Sequence, residues 1–202
     1  MKRILAVLTG MALLSACTVV DLDANGQPIL PKDPQAKPGY ATQTPQQIAE
    51  ESWQSRVMDT ANSHALSWAD MQTKSQTVKA GGRESVFVRA SGTVSALNDS
   101  NPRERILTLI LNGKPVEVSV GPVLRSNAIR DAAGFRFEEF TNQVQYAQLT
   151  RALNRHAVKQ LPTLDASWVN QPVQALLAVS IGHGSVDEVV AVELKRGTPD
   201  GR

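Results

Sequence analysis

The side chains best suited to chemistry gather in one stretch, Gly121-Pro122-Val123-Leu124-Arg125-Ser126-Asn127-Ala128-Ile129-Arg130-Asp131-Ala132. A guanidinium is a rigid fork of donors and suits an anion or the hydroxyls of a sugar. Arg125, Arg130 and Asp131 are therefore candidate ligand-binding residues. The same types also serve architecture, with Arg125 or Arg130 paired to Asp131 and donating to backbone carbonyls. A second polar set follows at Asn142, Gln143, Tyr146 and Asn154. Amides beside apolar helical positions commonly satisfy loop backbone groups, and Asn142, Gln143 and Asn154 are further candidate sugar contacts.

Other chemistries find less support. Asp21-Leu22-Asp23-Ala24-Asn25-Gly26 matches the opening of a calcium loop, but the twelfth position, which needs a bidentate glutamate, holds Lys32. A turn at Asn25-Gly26 explains the stretch equally well. His64, His156 and His183 have no second ligand at metal spacing. There is no G-x-S-x-G elbow and no glycine-rich phosphate loop. No metal, no cofactor and no catalytic residue is expected. The one cysteine, Cys17, excludes an intrachain disulfide framework and any multi-cysteine cluster.

Three groups of elements must position these residues. Thr44-Pro45-Gln46-Gln47 reads as a capping box with proline at the first helical position. Apolar residues then recur at helical spacing from Ile48 to Met71, which predicts one N-terminal helix over 45–73. Strands are expected at 85–97, 105–111, 116–120, 173–181 and 186–194. Gly92 marks a bend or bulge. The apolar run Arg105–Leu111 suits a strand buried on both faces, and Asn112-Gly113 makes the turn of a hairpin. Between the third and fourth strands, residues 121–161 carry helical periodicity at Phe137, Phe140 and Val144 and again from Leu149 to Leu161, before Pro162.

The predicted fold is α+β: a five-stranded OB-like β-barrel over 85–196, with a helical insert between strands 3 and 4 and a preceding N-terminal helix. The alternative is an open five-stranded sheet backed by helices. Either lies in a single globular domain over 44–202. An OB plan invites a nucleic-acid partner, but such sites need exposed aromatics in a basic groove, and the five strands carry only Phe87. No nucleic-acid partner is expected.

The N-terminus decides location. Lys2 and Arg3 precede an apolar run from Ile4 to Leu14, too short for a permanent membrane span, and Ser15-Ala16 are small. Residues 1–16 read as a signal peptide. Leu14-Ser15-Ala16-Cys17 resembles the bacterial lipobox, which implies lipidation of Cys17 and anchoring in a membrane through its acyl chains. Retention at the inner membrane commonly uses aspartate after the cysteine. Thr18 stands there, so the outer membrane is expected. Residues 17–43, with Pro28, Pro31, Pro34 and Pro38, read as the lipidated cysteine and an extended tether. Cleavage removes Lys2 and Arg3 and no acid, leaving 19 basic against 19 acidic residues. A neutral chain makes no electrostatic case for nucleic acid or anionic lipid.

The lipobox, Val19-Val20-Asp21-Leu22-Asp23, Trp53, the stretch 121–132 and the stretch 137–154 (FEEFTNQVQYAQLTRALN) together resemble a family of predicted periplasmic lipoproteins of unknown function. Genes of that family often lie beside sugar ABC transporter genes. Where the family has Gly-Thr after the first arginine, this chain has Ser126-Asn127, and Asn127 is expected to take over a left-handed turn. The resemblance implies export, lipid anchoring and a link to carbohydrate uptake, with a small saccharide or an ABC transporter component as candidate partner. It assigns no catalytic residue. The leading expectation is a non-enzymatic accessory or binding module facing the periplasm. The rivals are a saccharide hydrolase using two of Asp131, Glu138 and Glu139, and a structural envelope protein bound to other lipoproteins.

Overall fold

The computed structural model describes residues 39–197. The signal peptide at 1–16, Cys17, the calcium-like stretch at 21–26 and the tether as far as 38 lie outside the described residues. Among the described residues no helix is long and apolar enough to cross a membrane.

The end of the expected tether is already part of the domain. Tyr40 stacks on Phe140 with ring centroids 5.2 Å apart. The Gln145 amide donates to the carbonyls of Tyr40 (2.9 Å) and Gln43 (3.0 Å). The boundary placed at residue 44 therefore falls too late, because an aromatic next to a proline-rich stretch carries no local sign that a distant ring awaits it.

Thr44 and Gln47 exchange the two hydrogen bonds of a capping box, at 3.3 and 2.9 Å, and start α1 (Pro45–Ser52). A π-helical segment, Trp53–Met58, and α2 (Asp59–His64) continue it. At the junction the Ser52 hydroxyl donates to the Ile48 carbonyl, a side-chain bond of the kind that bends a helix. The single helix expected over 45–73 does not form. Ala65 is extended (φ −63°, ψ 131°). Leu66–Ser67 form the short strand β1, parallel to Val88 and Arg89. Ser67 then caps α3 (Trp68–Thr77), accepting from the Asp70 N–H at 3.1 Å. Sheet hydrogen bonds and a fresh cap outweigh helical periodicity there, and neither is visible in that periodicity.

Five long strands follow: β2 (Glu84–Asn98), β3 (Glu104–Leu111), β4 (Lys114–Pro122), β5 (Pro172–Gly182) and β6 (Ser185–Arg196). Their order is β2-β3-β4-β6-β5, and β5 returns to β2, so the sheet closes into a barrel. Every neighbouring pair is antiparallel except β4 and β6. Asn112 and Gly113 both take positive φ (50° and 75°), as a two-residue turn matched to strand twist requires. The chain between β4 and β5 contains α4 (Ala128–Ala132), a 3-10 turn at Phe137–Glu139, α5 (Gln143–Gln160) and a second 3-10 turn at Ala166–Trp168. Phe137 and Phe140 thus precede α5 instead of sharing its face, because Asn142 caps the helix by accepting from the Gln145 N–H at 2.9 Å.

Two cores result. The barrel interior takes Leu107, Leu109 and Leu111 from β3 and Leu177, Val179 and Ile181 from β5, among others. Trp68 and Met71 of α3 join it beside the β5–β6 turn, where the Gly184 N–H donates to the Ser75 carbonyl at 2.9 Å. Trp168 and Leu164 join it at the opposite end, where Asn170 and Gln171 bond to the Val94 backbone. The second core lies outside the barrel, where Phe87, Leu176, Ala178, Val190 and Val192 meet apolar residues of α1, α4 and α5. The strand buried on both faces is therefore β5. In β3 only alternate residues are buried and Ile106, Thr108 and Ile110 are half-exposed, since the helices stack on β5 and its neighbours instead.

β2 pairs with β5 from Glu84 to Thr93 and with β3 from Thr93 onward. Gly92 sits at this hand-over. A Cβ there would lie 2.3 Å from the Ile110 carbonyl oxygen and 2.7 Å from Leu111 Cδ2. The register shift itself falls between Val94 and Ala96, so Gly92 permits close approach and Ser95 carries the bulge. Gly92→Ala forces backbone apart and is expected to cost about 1–3 kcal/mol, measured as a lower midpoint in urea with an unchanged m value.

Candidate functional site

β4 and β6 pair only at Ser119 and Val190. Away from that contact they diverge, and a groove of about 680 Å³ opens between them. Trp68 and Gln72 line it from α3, and Val116, Val186 and Val189 give it apolar surface. Its polar lining is dense: the carboxylates of Glu104, Glu117, Asp187 and Glu188, and the cations of Arg105, Lys114 and Arg125.

Most of these charges are engaged. Arg125 Nε lies 2.6 Å from Glu104. Arg83 reaches Asp187 at 3.1 Å and Glu188 at 3.9 Å. The Ser126 hydroxyl donates to Glu188 at 2.6 Å. Arg105 donates to the Leu164 carbonyl at 2.7 Å. Among the described residues, Lys114 and Glu117 have no ion-pair partner.

The loop carrying Arg125 and Ser126 is fixed from behind by α5. Asn154 is buried, and its amide nitrogen donates to the carbonyls of Leu124 (3.0 Å) and Ser126 (2.9 Å). Those two bonds set the amide's orientation and leave Oδ1 without a partner among the described residues.

Arg130 has a different setting. It is 9% exposed. Its guanidinium donates to Asp131 at 2.8 and 2.7 Å and to the Thr150 hydroxyl at 2.9 Å, and lies 3.9 Å over the Tyr146 ring. Burial pushes the Tyr146 phenol up, against the pull of Arg130, and the phenol donates to the Phe135 carbonyl at 3.0 Å. The Thr150 hydroxyl also donates to Asn127 at 3.3 Å. Asn127 itself is right-handed (φ −92°), not in the left-handed turn expected of it, because it leads straight into α4.

The six candidate residues thus separate. Arg125 faces the groove and Asn154 supports its loop. Arg130 and Asp131 tie α4 to α5. Asn142 caps α5, and Gln143 is exposed at the start of that helix.

The profile of the predicted periplasmic lipoproteins, DUF2291, matches residues 7–194. The chain belongs to that family. No curated protein matches it. Membership supports a location in the cell envelope facing the periplasm.

The groove residues that sequence reasoning passed over in this DUF2291 chain are Trp68, Glu104, Lys114, Glu117 and Glu188. They come from four separate elements, and no spacing links them. The one available sign was the charge of Lys114 and Glu117 on a strand that also carries three valines, Val116, Val118 and Val120.

Of the remaining carboxylates of the hydrolase reading, Glu138 is exposed, with no ion-pair partner among the described residues, and Glu139 is occupied. Glu139 pairs with Arg56, which also donates to the Gly134 carbonyl at 2.7 Å and covers the Phe135 ring at 4.0 Å. Burial alone would raise the Glu139 carboxyl, but bonds from Arg56 and from the Arg136 N–H outweigh it and hold it below the usual range. Burial against Trp53, whose ring lies 4.3 Å away, lowers His156.

Two outcomes follow. Arg130→Ala is expected to destabilise the fold by about 2–3 kcal/mol through lost charged hydrogen bonds, whereas Arg125→Ala, at a largely exposed pair, should change stability by less than about 0.5 kcal/mol. Chemical denaturation of both variants checks the contrast. Glu139 has a lower pKa folded than unfolded, so its pair with Arg56 stabilises fully above the unfolded value. That contribution fades as pH falls through the folded value. Glu139→Gln should therefore flatten the acid limb of a stability-against-pH curve and leave its shape above neutrality unchanged.

Proposed function

We propose that the protein is a lipid-anchored, periplasm-facing accessory module that binds a partner without turning it over. Cys17 is its anchor and the outer membrane its site. The β4–β6 groove is its binding surface, and carbohydrate transport is the process it serves. The observation carrying this reading is the lining of that groove. Carboxylates and guanidinium groups share the lining with apolar surface that includes Trp68, a mixture able to accept from and donate to hydroxyls or amides. Three of its four acids, Glu104, Asp187 and Glu188, are engaged by Arg125, Arg83 and Ser126, which suits fixed recognition better than proton transfer. Arg125 is the ligand contact and Asn154 holds its loop. Arg130, Asp131, Asn142 and Gln143 serve beyond the groove.

The barrel itself we assign to the OB plan, with α4 and α5 as the insert between its third and fourth strands. Support comes from the order β2-β3-β4-β6-β5, closed by β2 with β5, and from the parallel contact of β4 with β6.

Palmitate labelling with membrane fractionation tests the anchor: incorporation in the outer membrane is expected, lost in Cys17→Ala. Thermal melts of the full-length protein with monosaccharides test the groove. A sugar at 100 times its Kd should add about 2.7 kcal/mol, a rise of roughly 5–10 °C, and Arg125→Ala or Glu188→Gln should remove it. Glycan turnover by the protein, lost on replacing Asp131, would replace the binding reading with the hydrolase one.

A further inference from the structure

We propose that the groove takes an extended polypeptide, added as a strand to the open edge of β4. The inference rests on the reading of the groove as a binding surface and names its occupant. Neighbouring β3 covers one edge of β4 from Lys114 to Ser119 in unbroken register. The other edge has a strand beside it only at Ser119. The stretch from Lys114 to Val118 is thus an unpaired edge, and Lys114 to Glu117 line the groove.

The two-residue turn fixes which backbone groups face outward. Leu111 and Lys114 close the hairpin as a hydrogen-bonded pair, so Val116 and Val118 bond to β3, while Pro115 and Glu117 direct their backbone groups away from it. Glu117 offers both an N–H and a carbonyl to the groove, and Pro115 a carbonyl only. Pro115 and Lys114 are residues that guard an edge against indiscriminate pairing. What remains is a short, selective set of bonds centred on Glu117.

The opposing wall does not compete. β6 carries a register shift at Asp187, and a bulge bends a strand away from regular pairing. A strand laid on β4 continues its alternation. Every second side chain would meet Val116, Val189 and Trp68, and those between would meet Glu117, which has no cation partner among the described residues. Across the groove Asp187 and Glu188 are already paired with Arg83, so Glu117 is the carboxylate left to the occupant. The occupant is therefore a segment alternating apolar and basic residues, with main-chain bonds giving affinity and side chains giving choice.

The test uses the full-length protein in detergent micelles and a blocked peptide of alternating valine and lysine. At saturation, exchange of the Glu117 amide should slow by about tenfold or more. The same peptide N-methylated on the residues facing β4 should give no protection. Glu117→Pro removes the outward N–H without touching a bond to β3, and should weaken binding by about tenfold. If that variant fails to fold, the N-methylated peptide decides alone. Absent binding, binding with Glu117 still exchanging freely, or equal binding by the N-methylated peptide each overturns the proposal. A monosaccharide that shifts the melt through Arg125 while the peptide does nothing would overturn this occupant and leave the binding module standing. Failure of palmitate labelling would defeat the anchor and leave this measurement unaffected.

Discussion

The rest of the molecule depends on the close approach of two backbones at Gly92. β2 is 15 residues long and is shared between β5 and β3. A strand can serve two neighbours in this way only if it bends, and the bend brings it within van der Waals range of the Ile110 carbonyl. Removing one Cβ makes the closure possible. Once β2 is closed against β5, the last gap, between β4 and β6, is set by geometry. It is bridged at one residue pair and open elsewhere. The groove is thus a by-product of closing a small barrel, and its chemistry comes from side chains already committed to the strands on either side.

Closure also sorts the aromatic and cationic residues. Trp68 and Trp168 occupy the two ends of the barrel interior, with Arg196 lying 4.6 Å over the second ring. The outer core is tied by Arg56 over Phe135 and Arg130 over Tyr146. Both arginines are mostly buried and each also meets a carboxylate, which offsets the cost of removing charge from water. Such residues look functional in isolation because polar groups inside a core are rare. Here they hold the helical layer to the barrel, and Tyr40 joins the same aromatic group. The groove, by contrast, holds charges on exposed walls, where solvent lowers their mutual attraction and leaves them able to exchange partners.

On the proposed reading of a lipid-anchored binding module, this division separates two roles. The helical layer receives the chain at Tyr40, whereas the groove opens between two strands. The Asn154 clamp links them: one buried amide on α5 fixes the carbonyls of Leu124 and Ser126, so the loop bearing Arg125 keeps its position whether or not the groove is filled. A loop backbone fixed in advance suits recognition, since little backbone entropy remains to be lost on binding.

Much was legible in the linear chain. Apolar patterning with turn chemistry located the five long strands of the barrel but not β1, and the capping box located the first helix, because these signals rest on backbone preferences acting over a few residues. The family's shared segments likewise announced an envelope lipoprotein. Pairing decided the remainder. Leu66 and Ser67 became a strand because β2 lay beside them, and β5 became the doubly buried strand because helices chose its outer face. Arg125 and Arg130, near neighbours in the chain, parted company since one preceded α4 and the other lay inside it. The groove joins Trp68, Glu117 and Glu188, residues brought together only when the barrel closes. No periodicity encodes a contact between elements so far apart, so that assembly belonged to tertiary structure alone.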